Sequence, residues 1–392
     1  MMIFYIILLF NLTQALVKLP IIQGDISLIE QSQKKRNLIS VQPIYNVNAR
    51  EYLITLGIGT PVQLINVTLD TGSSDLWIPS SHCTQCPSIR FVESKSSTFN
   101  QTERNFNAEY GSGSAKGTTG YDTITLGELT CPDQILGLAF STSGTINQGI
   151  LGLGFPGMMT TGDEPLIVHL ARLKMIPEAV FSIYLGQQAD TQGEIVIGGY
   201  ETDRFTGQLA FLPVLRYNPL ALVGKSYQRD GIYKYWSLPF QAVIVMHSTQ
   251  GQIYTSQLED LEPAILDTGT TLSYLPQPTV LGILESIAKS DYKPIKTGNR
   301  VQAYEVNCAY FSQPLHLLFQ FSTQADRFST WPVEVQVPLK DLVLQNDKNC
   351  LFGLAPSVTA DWILGQTVLR SAYIVHDMLG LQMGIGKPLR KQ

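Results

Sequence analysis

Two acids at matching positions carry the chemistry this sequence offers. Asp70 ends the run Val67-Thr68-Leu69 and is followed by Thr71-Gly72-Ser73-Ser74; Asp267 ends Ala264-Ile265-Leu266 and is followed by Thr268-Gly269-Thr270-Thr271. A carboxylate placed straight after a buried apolar run is costly unless hydrogen bonds hold it. The Thr and Ser hydroxyls, with backbone N–H groups freed by a tight glycine turn, are the partners it needs. The two copies lie about half a chain apart, which predicts two related halves that each contribute one acid. Carboxylates close enough to share a proton cannot both ionise, so one becomes an acid and the other a base. Such a pair can activate water, polarise a carbonyl and protonate a leaving nitrogen.

The duplication extends beyond the tripeptides. Ile150-Leu151-Gly152 follows the first and Ile363-Leu364-Gly365 the second, each an apolar pair ending in glycine. Gly152, Gly154 and Gly157 also spell a G-x-G-x-x-G, but Pro156 interrupts it and no βαβ unit surrounds it, so a nucleotide loop is a poor reading. Between the first acid and the first Ile-Leu-Gly lies Ala108-Glu109-Tyr110-Gly111-Ser112-Gly113-Ser114-Ala115-Lys116-Gly117, whose small residues predict a hairpin. The five histidines stand alone, and no serine nucleophile elbow is present.

Taken together these motifs resemble the pepsin-like aspartic proteases, over nearly the whole chain from Tyr45 to Lys387. The resemblance implies an all-β, bilobal pepsin-like fold with two related β-rich lobes, a catalytic cleft between them and a few short helices. It implies an aspartic endopeptidase that cuts extended polypeptides at acid pH, with Asp70 and Asp267 catalytic. Ser73 and Thr270 would bond the outer carboxylate oxygens, Thr71 and Thr268 would brace the turns, and Gly72 and Gly269 would let N–H groups face the acids. Tyr110, Gly111 and Ser112 would form the flap over the substrate, with Trp77 as the hydrogen-bonding neighbour of Tyr110. Segments at Ile150 and Ile363 would pack under the two acids. No cofactor and no metal is implied. A pepsin-fold protein that binds peptides without cutting them is the alternative, but both tripeptides and Tyr110 are intact. A glycosidase with paired carboxylates is a third class, and nothing here resembles a sugar-stacking cleft.

Five cysteines read as two bridges and one remainder. The resemblance implies Cys83–Cys86 and Cys308–Cys350, leaving Cys131 as a buried thiol. Zinc is the rival for Cys83 and Cys86, but no second Cys/His pair at ligand spacing completes a site. Departures from the family pattern are the short Cys83–Cys86 loop, Cys131, a long junction over 215–232, and Gln366 where an acid often follows Ile-Leu-Gly.

The 392 residues are 15% charged and 44% apolar with a formal net charge of −5, so large cores can form and nothing favours nucleic acid as a partner. Abundant Gly and Pro between short Val/Ile/Thr/Tyr runs read as mostly β. Helical patterns are expected over Pro165–Met175 and Val280–Ala288. The apolar start, polar after Phe10, fits a signal peptide over residues 1–15, and no later stretch is long enough to span a bilayer. Residues 16–36 read as a prosegment ending in Lys34-Lys35-Arg36, 37–214 as the N-terminal lobe and 215–392 as the C-terminal lobe. The expected location is the secretory pathway, secreted or in a lysosome- or vacuole-like compartment, as a monomer acting on polypeptides without stable membrane insertion. Asn66-Val67-Thr68 and Asn100-Gln101-Thr102 are sequons, Asn100 being expected in a polar loop.

Overall fold

The computed structural model describes residues 17–23, 52–86, 89–144, 148–186, 192–217, 231–256, 258–346, 349–359 and 361–389. The expected signal peptide, the basic cluster at 34–36 and most of the 215–232 junction lie outside these residues. The chain is built from strands, as its short apolar runs demand. Those of the first half are β1 (Val17–Gln23), β2 (Tyr52–Ile58), β3 (Gln63–Asp70), β4 (Leu76–Pro79), β5 (Asn100–Tyr110), β6 (Gly113–Leu126), β7 (Leu129–Gly144), β8 (Gly149–Gly152), β9 (Val180–Tyr184), β10 (Gln192–Ile197) and β11 (Phe205–Pro213). Then come β12 (Ser237–His247), β13 (Gly251–Thr255), β14 (Glu262–Leu266), β15 (Ser273–Leu275), β16 (Tyr292–Thr297), β17 (Arg300–Val306), β18 (Leu315–Phe321) and β19 (Val333–Pro338). The chain closes with β20 (Val343–Asn346), β21 (Asn349–Phe352), β22 (Leu354–Pro356), β23 (Trp362–Leu364), β24 (Tyr373–Asp377) and β25 (Gln382–Pro388).

Among the described residues three sheets result, of 13, 8 and 4 strands. The largest runs β11-β25-β24-β9-β10-β1-β2-β3-β8-β4-β7-β6-β5, so the last two strands of the chain join the first half's sheet. The division expected at 214/215 is therefore not followed by sheet membership: β24 pairs with β9 and β25 with β11. The second sheet, β19-β18-β12-β14-β23-β15-β22 with β13 on β12, carries Asp267. The two halves repeat one arrangement. β8 lies parallel to β3 with Gly152 opposite Asp70, and β23 lies parallel to β14 with Leu364 opposite Leu266.

Helices are short. α1 (Leu166–Arg172) follows Pro165 and buries Leu166, Ile167, His169 and Leu170. α2 (Gln277–Ala288) starts three residues earlier than the apolar period predicts, because Pro278 suits a first helical turn, whose N–H groups have no carbonyl partner. α3 (Gln366–Leu369) follows Gly365 directly. One continuous apolar cluster reaches from Tyr52 through Trp236 and Phe240 to Ile385, spanning both halves. Polar bonds also cross between them, among them those that Trp236 Nε1 donates to the Leu153 carbonyl at 2.9 Å and the buried Arg370 Nε donates to Tyr52 Oη at 2.7 Å. Cys83–Cys86 and Cys308–Cys350 are disulfide-bonded, and Cys131 is free and buried. Asn100 is exposed at the first residue of β5 rather than in a loop, and Asn66 is half-buried in β3, its Oδ1 accepting from Thr55 Oγ1. Among the described residues no helix is long and apolar enough to cross a membrane.

Candidate active site

Asp70 and Asp267 sit where β3 and β14 end, each on a turn that glycine makes possible. Gly72 N–H donates to Asp70 Oδ1 and Gly269 N–H to Asp267 Oδ1, both at 2.8 Å. Ser73 Oγ donates to Asp70 Oδ2 and Thr270 Oγ1 to Asp267 Oδ2. Each inner oxygen thus takes a backbone donor and each outer oxygen a hydroxyl. These charge-assisted bonds offset the desolvation of acids at strand ends.

The two turns are locked to each other. Thr71 Oγ1 donates to the Leu266 carbonyl at 2.9 Å and accepts the Thr268 N–H at 3.0 Å. Thr268 Oγ1 donates to the Leu69 carbonyl at 2.8 Å and accepts the Thr71 N–H at 3.1 Å. Both threonines are buried, so each hydroxyl braces the other half's turn rather than its own. The glycines are pressed by the opposite acid. A Cβ on Gly72 would lie 2.7 Å from Asp267 Cγ, and one on Gly269 would lie 2.4 Å from Asp70 Oδ1. The carboxyls are within hydrogen-bonding reach, and burial together with the Asp267 charge pushes the Asp70 carboxyl well above the ordinary range, against the pull of its Ser73 and Gly72 donors.

The Ile-Leu-Gly segments form the floor under both turns. Leu153 N–H donates to the Asp70 carbonyl and Gly154 N–H to the Ser73 carbonyl, both at 2.7 Å. In the second half Gln366 N–H donates to the Thr270 carbonyl at 2.8 Å. A Cβ on Gly152 would meet the Ser74 carbonyl carbon at 2.5 Å, and one on Gly365 the Leu272 oxygen at 2.2 Å.

Above the acids, β5 and β6 form a hairpin with Gly111 and Ser112 as its two-residue turn and Tyr110 opposite Gly113. Tyr110 Oη accepts the Trp77 indole N–H at 2.8 Å, and its ring packs on a small cluster of Trp77, Phe106, Ala108, Ala115, Ala139 and Ile150. Burial and the nearby Asp70 raise the Tyr110 phenol, so it remains a neutral hydroxyl. The cysteines of both disulfides and the two sequon asparagines take no part in these contacts.

Two contributors escaped the reading of the sequence. Asp75 is a buried carboxylate close by in sequence, and it accepts the N–H and hydroxyl of both Thr160 and Thr161 at 2.7–3.0 Å. It thereby ties the strand leaving the first turn to the loop before α1. Its position just after Ser73-Ser74 was a signal, but its partners are far along the chain. Gln366, noted only as a departure, donates its amide to the Thr268 carbonyl at 2.9 Å and so clamps the second turn. Gly154 makes the corresponding backbone bond in the first half and brings no side chain. Among the described residues no group of three or more His, Cys, Asp or Glu side chains is placed to hold a metal.

The family model described as eukaryotic aspartyl protease matches residues 51–387. The chain is 29% identical to an embryonic pepsinogen of Gallus gallus over 360 residues, covering 90% of this chain and 84% of that protein. It is 28% identical to a pepsin A of Sus scrofa over 363 residues, covering 89% and 84%. The solved aspartic proteinase of Irpex lacteus superposes with a TM-score of 0.68 at 20% identity, over 95% of this chain and 98% of that one, which shows a shared fold.

Proposed function

The chain belongs to the eukaryotic aspartyl protease family and is an aspartic endopeptidase, and from that premise we propose that Asp70 and Asp267 hydrolyse peptide bonds of extended polypeptides in acid through a water activated between them. The observation that carries this is the reciprocal seating of the two turns, each acid lying against the other half's glycine. Because burial and mutual charge raise Asp70, the pair retains one proton where two separate acids would both be ionised. Its titration belongs to the pair, and the more buried Asp70 is the favoured seat of the shared proton.

The ionised carboxylate takes a proton from water as its oxygen attacks the scissile carbonyl carbon, while the protonated carboxyl donates to the carbonyl oxygen. As the resulting diol collapses, one of its hydroxyls returns its proton to the second carboxylate and re-forms C=O, the C–N bond breaks, and the proton taken from water goes to the leaving nitrogen. The hairpin ending at Tyr110 closes over the peptide, which binds as an added strand. The two disulfides support a secretory route, ending outside the cell or in a lysosome- or vacuole-like compartment.

Residues 16–36 act as a prosegment in this reading, supported by the antiparallel pairing of β1 with β10 over Val17–Ile22 and its contact with β2 at Leu53. The central test is Asp70→Asn and Asp267→Asn, assayed separately on denatured globin at acid pH. Each is expected to fall below about 1% of wild-type turnover with unchanged circular dichroism, since Asn keeps the volume but cannot share a proton. Turnover above that level in either variant would remove the two-acid mechanism, and no turnover by wild type would favour a peptide-binding role.

A further inference from the structure

Away from the dyad, the first half holds a surface cavity of about 240 Å³ between the start of β7 and α1, walled in part by Asp133, Ile135, Asp163, Glu164, His169 and Leu173. Its polar wall is built rather than incidental. Gln134, 1% exposed, donates Nε2 to the carbonyls of Ile135 and Glu164, both at 3.1 Å, which leaves Oε1 to face His169 Nδ1 at 2.9 Å as an acceptor. His169 Nδ1 therefore carries the proton, with the Cys131 sulfur 3.5 Å away. The opposite nitrogen, Nε2, is left as a lone pair with no hydrogen-bond partner among the described residues. It belongs to a side chain 94% buried (6% exposed) that lines the cavity.

The charges around it are unequal. Glu164 is matched by Arg172 at 2.5 Å. Asp163 accepts only the Tyr121 hydroxyl, at 3.0 Å through Oδ2, and Asp133 has no ion-pair partner among the described residues. Burial holds His169 below its ordinary range, against the opposing pull of Glu164, Asp163 and Asp133 and with the Arg172 charge acting in the same direction, so at neutral pH it presents an acceptor. Ile135, Leu173 and Pro132 supply an apolar side. The lining thus combines the His169 acceptor, the carboxylates of Asp133, Asp163 and Glu164 against the one guanidinium of Arg172, and hydrocarbon, and among the described residues no trio of side chains is placed for a metal.

We propose that this cavity binds a primary alkylammonium group, delivered by a lysine side chain of a polypeptide or by a free alkylamine. An N–H donor of an ammonium matches the His169 Nε2 lone pair, the carboxylates of Asp133 and Asp163 in the same lining supply the negative charge that favours a cation, and its methylene stem lies along Ile135 and Leu173. The thiol of Cys131 is not part of the chemistry: burial pushes it up to about 12, so it stays protonated.

The experiment uses the full chain carrying Asp70→Asn, which prevents self-digestion, at pH 7.5. Titration calorimetry is run with n-butylammonium, with the methylamide of N-acetyl-lysine, and with n-butanol as the uncharged control. Saturable binding of either amine, at least tenfold tighter than butanol, is expected, and a preference for the lysine derivative assigns the source to a polypeptide. The double change Asp133→Asn and Asp163→Asn keeps the cavity's shape and is expected to weaken amine binding at least tenfold with the circular dichroism unchanged. Butanol binding as well as the amines, or the double variant keeping full affinity, overturns the proposal. The readout is binding outside the catalytic turns, so its failure leaves the two-acid reading untouched.

Discussion

At the scale of single residues, the candidate active site holds two acids in a state that water would not allow. Asp70 is 6% exposed and faces another carboxyl, and both features favour its protonated form. The linkage has a definite sign. Because the folded-state carboxyl titrates above its unfolded value of 3.8, its stabilising contribution is complete below that pH and is lost as pH rises through the raised value. The loss is about 1.4 kcal/mol for each pH unit traversed. Asp70→Asn removes this penalty. The variant is expected to unfold at a higher temperature than wild type at pH 7.5 and to show no such advantage at pH 3. Scanning calorimetry at the two pH values checks this, and an equal shift at both would detach the effect from titration.

At the scale of elements, the β5–β6 hairpin is held to the sheet by packing and by one directed bond. Tyr110 reaches from its tip to Trp77 in β4, the strand that leaves the Asp70-Thr71-Gly72 turn. The flap's resting position is therefore referenced to the acids through a few residues of chain. Trp77→Phe keeps most of the buried ring and removes the indole N–H. A net hydrogen bond of this kind contributes about 1 kcal/mol, so kcat/KM on a peptide is expected to fall roughly five- to tenfold. Thermal stability should drop by only a few degrees. Unchanged kcat/KM in a folded Trp77→Phe enzyme would show that the bond does not set the flap.

At the scale of the molecule, the sheet that joins the halves contains a group that opposes acid. His376 in β24 stacks on Phe181 of β9 at 4.4 Å and meets the edge of Trp236 at 4.8 Å. Burial pushes it down to about 3 from the ordinary 6.5. As pH falls below 6.5 the unfolded chain takes up a proton that the folded one refuses, so stability is lost down to about pH 3. The full loss is of order 5 kcal/mol. His376→Phe is expected to raise the denaturant midpoint at pH 3.5 relative to wild type by more than at pH 7; the same gain at both would reflect packing alone.

The same sheet includes β1, between β10 and β2, so the described part of the expected prosegment, Val17–Gln23, is a strand of that sheet. Its residues 16–36 carry four basic side chains and two acidic ones, and contacts to ionised carboxylates weaken on acidification. Protein starting at Leu16 should cleave a peptide more slowly at pH 6 than protein starting at Asn37, and the difference should close at pH 3.5. Equal rates at pH 6 count against inhibition by this segment. Replacing Lys34, Lys35 and Arg36 by Ala should leave self-cleavage intact and stall processing by a separate basic-specific protease.

Much of the site was legible because its parts are local. An acid after an apolar run, a glycine turn and a hydroxyl three residues on form one hydrogen-bonding unit whatever the rest of the chain does, and a Gly-rich stretch between strands makes a hairpin on its own. The repeat of that unit half a chain later implied a pair. What only the tertiary structure decided depends on how distant segments meet. Thr71 and Thr268 exchange their hydroxyls across the halves, Asp75 finds Thr160 and Thr161, and Gln366 clamps Thr268. β24 and β25 return to the first half's sheet, where apolar alternation alone names no partner. Cys131, His169 and Gln134 likewise become neighbours only when α1 packs on β7. Periodicity fixes which face of a strand is buried, whereas the choice among buried faces is made by the packing of the whole core.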